Sequence, residues 1–171
     1  MKYAILALFI AGGLSFAALS GCQSSAAEQE AAAKPARPLQ EDLPGTWESV
    51  SVRVVVNSAE GDTTESYVFE VPEEEWARRL GMKPIRSFFF PNNTYRQEFM
   101  TVNDSMINVA RGIWNAFGDT LMLIEPDATY QYVVKFDKGM MELRALLDWD
   151  GDGEEDDDYL GIHRRVSMTV E

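Results

Sequence analysis

The chain has 171 residues, 46% of them apolar, which is enough for one domain with its own core. Acidic residues number 28 against 15 basic ones, and the net charge of −13 excludes nucleic acid, and a flat seat on anionic lipid, as partners of its surface. A single cysteine excludes an internal disulfide.

The first segment, MKYAILALFIAGGLSFAALSGC, reads as a secretory signal over residues 1–21. Lys2 supplies the positive start, Ala4 to Ala18 the apolar run, and small residues precede Cys22. It is too short and too weakly flanked for a good transmembrane span. Its end, Leu19-Ser20-Gly21-Cys22, resembles the lipobox of bacterial lipoproteins. That resemblance implies cleavage before Cys22 and attachment of palmitate-type acyl chains to the sulfur and the new amino group. Several chains supply the multiple signals that stable anchoring needs, so the mature protein is expected to be tethered to a membrane without spanning it. Gln23 after the anchor is compatible with delivery to the outer membrane of the cell envelope, on its periplasmic or its surface face.

Residues 22–42 continue from Cys22 as QSSAAEQEAAAKPARPLQED, with almost no large apolar side chain, and read as a flexible tether. The folded domain is expected over 43–171. From Trp47 the apolar residues recur with period two: Val50, Val52, Val54 and Val56 share one face, and Ser49, Ser51 and Arg53 the other. Glu60-Gly61-Asp62 reads as a turn, and Tyr67, Phe69 and Val71 form the next stripe.

VPEEEWARRLG breaks this period. Pro72 suits a first helical position, three glutamates fill the first turn, two arginines the last, and Gly81 is a stop. One short helix is therefore expected at about 72–80, with helix-spaced pairs Glu74–Arg78 and Glu75–Arg79 and an apolar face of Trp76 and Leu80. Alternation resumes at Ile85 to Phe90 and continues through TYRQEFM, MINVARGIWNAF and TLMLIE. Tyr130, Tyr132, Val134 and Phe136 share the next face. After a hairpin turn at Asp137-Lys138-Gly139 come Met141, Leu143, Ala145 and Leu147, then a last strand from about Tyr159 to Val170.

Eight or nine antiparallel strands in sequence order leave two edges open unless the sheet closes. The expected fold is all-β, an up-and-down antiparallel β-barrel of eight to nine strands, with a two-sheet sandwich as the alternative.

Gly45-Thr46-Trp47, opening the first strand, resembles the G-x-W signature of lipocalin barrels. The order of FPNNTY, GDTL and DWDGDGEEDDDYLGIHRR is similar to that in lipocalin-like domains of bacterial lipoproteins. In that family an arginine near the last strand packs over the tryptophan, and the resemblance implies Arg164 or Arg165 for this role. Trp47 is expected to plug the base of the core.

From Asp148 to Asp158, eight of eleven residues are acidic. D-x-D-x-D-G at Asp148, Asp150, Asp152 and Gly153 is how a loop wraps oxygen ligands around calcium, with Glu154 offering its carbonyl and Asp156 a direct or water-mediated oxygen. An acidic group at the twelfth position would complete such a loop; Tyr159 stands there, and Asp158 is the nearest acid. Weakly bound, structural Ca2+ and a solvated acidic hairpin tip are the two readings.

Tyr67, Phe69, Phe89, Tyr95, Phe99, Trp114, Tyr130, Tyr132 and Phe136 fall largely on apolar stripes. In a barrel of this size they either line a cavity for one small apolar ligand or fill the interior. Nucleophilic catalysis has little to build on, because His163 is the one histidine, expected at the surface or rim, and no G-x-S-x-G elbow is present. The expected function is non-enzymatic: a lipid-anchored envelope protein that holds or shuttles a small hydrophobic molecule. The alternative is a calcium-stabilised protein-interaction or assembly module.

Overall fold

The structure, a computed structural model, describes residues 38–57 and 66–170. The signal segment, Cys22, most of the tether and the turn at Glu60-Gly61-Asp62 lie outside the described residues.

Nine strands run in sequence: β1 (Gly45–Val56), β2 (Tyr67–Val71), β3 (Arg86–Phe89), β4 (Thr94–Met100), β5 (Met106–Phe117), β6 (Thr120–Ile124), β7 (Thr129–Asp137), β8 (Met140–Leu147) and β9 (Asp157–Ser167). Every neighbouring pair is antiparallel, and β9 returns to pair with β1. Eight strands thus close a barrel, which removes the open edges. The ninth, β2, stands outside the ring order. It shares one edge of β1 with β3: β3 takes Gly45 to Glu48, and β2 takes Val52 to Val56.

The chain between them carries the helical segment, which is a 3-10 turn at Glu73–Glu75 followed by α2 (Trp76–Leu80) and ended by Gly81 in the left-handed region. Pro72 sits one place before the helical residues as their cap. Glu75 alone takes both arginines, Arg78 and Arg79. Trp76 is buried and Leu80 is exposed.

Alternation in β1 is not continuous. Ser49 pairs with His163 but Ser51 pairs with Ile162, so Val50 is an extra residue, a β-bulge. The bulge changes the parity of the inward face. Trp47 and Ser49 point inward before it, and Val52, Val54 and Val56 after it, so Ser49 lies on the valine face and not opposite it as the uninterrupted pattern predicts. The Val50 carbonyl, taken out of the ladder, accepts the Trp76 indole N–H at 3.0 Å, and the Ser49 N–H donates to the Ile85 carbonyl at 2.9 Å. These two bonds seat α2 and the segment after it in the gap between β2 and β3.

One end of the barrel, the base, is filled. Leu39, Leu43, Trp47, Phe89, Trp114, Leu121 and Met141 are buried there in one cluster. Leu39–Asp42, expected in the tether, form a helical turn, α1, that caps this end. Leu39 is buried in the cluster, and the Gln40 amide donates to the Ala116 carbonyl. Gly45 is required where α1 leads into β1: its φ is +136°, and a Cβ would stand 2.5 Å from the Ser167 carbonyl oxygen.

Outward positions carry Arg53, Glu70, Lys135, Arg144 and Arg164, all exposed. Exposed apolar side chains, among them Val68, Ile113, Phe117, Val133, Leu146 and Val166, stand between these charges.

Candidate functional site

Strand direction puts the loops 101–105, 125–128 and 148–156 at the end opposite α1. Here the barrel is hollow. A cavity of about 1280 Å3, open mouth included, is lined by Val52, Trp76, Ile85, Tyr130, Tyr132 and Tyr159 among others. Leu123 belongs both to its lining and to the base cluster, and so forms part of the floor. The volume exceeds the usual small-ligand range of about 300–1,000 Å3, because it also takes in the mouth and space beside the outward-facing Gln131, Val133 and Arg144.

Of the nine aromatic candidates some form the floor and some the wall, and Tyr130 and Tyr132 touch both. Phe69, Phe99, Tyr130 and Tyr132 line the cavity. Phe89, Tyr95, Trp114 and Phe136 pack in or against the base cluster: Phe89 stacks on Tyr95 with centroids 6.1 Å apart and meets Trp114 edge-on, and Phe136 stacks on Trp47 at 5.6 Å. Tyr67 does neither, being 48% exposed at the upper end of β2. The interior is therefore filled below and hollow above. Trp76, Trp149 and Tyr159 also line the cavity and escaped the stripe pattern. Tyr159 joins Tyr132 and Trp149 in a chain of ring contacts at 5.7 and 6.4 Å, and Trp149 meets Phe69 at 5.4 Å. These rings close the side of the cavity beneath the acidic loop.

Polar groups interrupt the aromatic wall, among them Ser49, Gln97, Asn108, Glu125 and His163. Glu125 accepts the Tyr95 hydroxyl at 2.6 Å, and Gln97 donates to Ser87 Oγ at 3.0 Å. Burial raises the phenols: Tyr159 is pushed up to about 12, Tyr132 is raised first by burial and then by its tyrosine neighbours and Glu125, and Tyr95 first by burial and then by its bond to Glu125.

His163 is not a rim residue. It is 5% exposed, on the inner face of β9, and lines the cavity. Its Nδ1 lies 3.3 Å from Ser49 Oγ across the β1–β9 ladder, and its Nε2 has no hydrogen-bond partner. Burial lowers its pKa to about 4, so the ring is neutral at pH 7. A serine beside a histidine invites a hydrolytic reading. This pair has no carboxylate on the second ring nitrogen, and a base so weakened by burial is poorly matched to neutral pH.

Of the two candidate arginines, Arg165 lies over Trp47, 4.3 Å from the ring centroid. The same guanidinium donates to the Pro44 and Asp42 carbonyls, and the Trp47 indole donates to the Leu43 carbonyl at 2.8 Å. Arg165 thus ties α1, tryptophan and last strand together. Arg164 points outward to Glu73 and Glu48 at 2.9 and 3.2 Å.

In the acidic loop, carboxylate oxygens of Asp148, Asp150 and Asp152 lie within 4.8 Å of one another. Each also accepts backbone N–H groups of the loop: Asp148 from Gly151 and Gly153, Asp150 from Asp152, and Asp152 from Glu154. Glu154, Asp156 and Asp158 stand outside this group of three. Asp158 is on β9, 3.5 Å from the Asn57 amide nitrogen. The residue that holds the loop is Asp157, 1% exposed, whose two oxygens accept the N–H of Asn57 at 3.1 Å and of Trp149 at 2.8 Å. Its neighbours in sequence are equally acidic, so composition alone could not single it out.

These features define an antiparallel eight-stranded barrel, consistent with a lipocalin-like fold, with a plugged base and an aromatic chamber above it. No protein-family model and no curated protein matches the chain.

Proposed function

We propose that the protein is a non-enzymatic, lipid-anchored binding protein of the bacterial cell envelope, which holds or shuttles a small hydrophobic molecule in the upper half of its barrel. The observation that carries this reading is the chamber lined by Phe69, Phe99, Tyr130, Tyr132 and Tyr159 above a closed floor. A concave wall of aromatic rings with polar groups set among them is the usual form of a small-molecule site. The lipobox ending at Cys22 supports the anchor. Gly45-Thr46-Trp47, with Arg165 over the indole, supports kinship with lipocalin-like lipoproteins, and Gln23 supports an outer-membrane address.

The test uses N-phenyl-1-naphthylamine, a neutral probe that fluoresces in apolar surroundings. Added to the full-length Cys22→Ala chain, it is expected to brighten saturably and to be displaced by small apolar competitors. A chain that leaves it dark has no accessible chamber, and the reading then fails.

A second reading rests on the three clustered carboxylates at the mouth. There, Asp148, Asp150 and Asp152 would hold Ca2+ as a weak structural ion, with a dissociation constant on the order of 0.1–1 mM, and keep that end in shape for a protein partner. Thermal melting in millimolar calcium and in chelator tests it. A rise in calcium that disappears in Asp148→Asn/Asp152→Asn is expected, and identical curves would leave a solvated hairpin tip.

A further inference from the structure

Tyr159, Gly161 and His163 follow one another at every second position on the inner face of β9. Gly161 has no side chain, and its neighbours lean over the notch this leaves. The point where a Cβ would stand is 2.5 Å from the Tyr159 hydroxyl oxygen and 3.0 Å from His163 Nε2. The Tyr159 hydroxyl fills this notch and covers Nε2, so the two polar atoms converge on one place that a third atom reaches when the Tyr159 side chain gives way.

One of them is unsatisfied. His163 Nε2 is buried with no partner, and Nδ1 is taken by Ser49. A buried polar atom without a hydrogen bond costs about 1–3 kcal/mol, so a group that supplies the missing bond gains more there than in water.

We propose that the chamber binds an uncharged amphipathic molecule, a medium-chain alcohol or a similarly oxygenated hydrocarbon, whose oxygen is held above Gly161 by His163 Nε2 and the Tyr159 hydroxyl. The inference deepens the proposed binding function and rests on it. Ser49 is a positioning residue that sets the plane of the imidazole. The ring chain of Tyr132, Tyr159 and Trp149 lies alongside the apolar body.

The surroundings select an uncharged head. Glu125, already bonded to Tyr95, is the acidic group of the inner wall, and Asp148 and Glu155 stand at the mouth. Arg144 at the rim is exposed and bonded to Glu142. A carboxylate entering here would approach negative charge and be buried beside a neutral histidine, which is strongly unfavourable. A hydroxyl or carbonyl meets no such opposition, and the burial that keeps His163 uncharged agrees with this choice.

The experiment follows displacement of N-phenyl-1-naphthylamine from the full-length Cys22→Ala chain at pH 7.5 by 1-decanol and by sodium decanoate. Decanol is expected to compete at least about tenfold better than decanoate. His163→Phe and Tyr159→Phe keep the rings and remove the polar atoms, and each is expected to weaken decanol about tenfold more than it weakens the probe. Tyr159→Phe carries the test alone if His163→Phe does not fold. Decanol competing equally in parent and variants overturns the proposal, as does decanoate competing better than decanol. In both cases a probe that still enters leaves the chamber standing; a probe that never enters the parent chain removes both readings together.

Discussion

His163 shows how position decides the chemistry of a side chain. An imidazole in water titrates near 6.5, whereas burial in the barrel wall brings it down to about 4. The unfolded chain therefore binds a proton between these values that the folded chain refuses. Its neutral-state stability is fully present above about pH 6.5 and is lost as pH falls toward 4, a change on the order of 3 kcal/mol. The other titratable groups lining the chamber are Glu125, Tyr130, Tyr132 and Tyr159, with Arg144, Asp148 and Glu155 toward its opening, and burial raises Tyr132 and Tyr159 away from this range. Subtracting the urea-unfolding profile of His163→Phe from that of the parent cancels Glu125 and the surface carboxylates. The difference is expected to slope between pH 6.5 and 4, and a flat difference would mean that the ring is solvated.

At the scale of the element, β1 is the strand that departs most from its own pattern. The run Val50, Val52, Val54 and Val56 suggests one buried face, yet the bulge sets Val50 apart from the other three. Substituting valine by threonine keeps the shape and adds a hydroxyl, which separates the two environments. Val54→Thr places that hydroxyl at a fully buried site and is expected to cost about 1–3 kcal/mol. Val50→Thr, at a half-buried bulge, is expected to cost less than about 0.5 kcal/mol. Equal losses in chemical denaturation would show the strand to be regular. The acidic hairpin likewise has one member unlike the rest: Asp157 is buried as the acceptor for two strand-end amides, whereas Asp148, Asp150 and Asp152 turn the loop at the surface.

For the whole molecule, closure through β1 and β9 and the exterior bear on how the protein meets a membrane. The outward rows alternate Glu70, Lys135 and Arg144 with the exposed Val68, Val133 and Leu146. Membrane association is expected to depend on the acyl anchor proposed at Cys22. Replacing residues 1–22 by a cleavable secretory signal without the lipobox, in a bacterial host, should move the chain from the membrane fraction to the soluble one. Firm retention of the variant in the membrane would contradict the lipid anchor.

Much of this architecture was legible in the sequence, because period-two alternation and turn residues are local properties. They were enough for the all-β class, the strand count, the helical interruption near Pro72 and the antiparallel order. Trp47 and an arginine near the last strand also came from a local motif, although only packing distinguished Arg165 from Arg164. What tertiary structure alone decided depends on contacts between residues far apart in the chain. The bulge at Val50 exists because Trp76 and Ile85 take the groups it frees. Leu39 joins the core because the base needs a lid. The aromatic stripes divide into floor and wall according to which layer of the barrel each strand reaches. His163 and Ser49 are 114 positions apart, and their meeting in the wall follows from closure of the barrel, which no local pattern encodes.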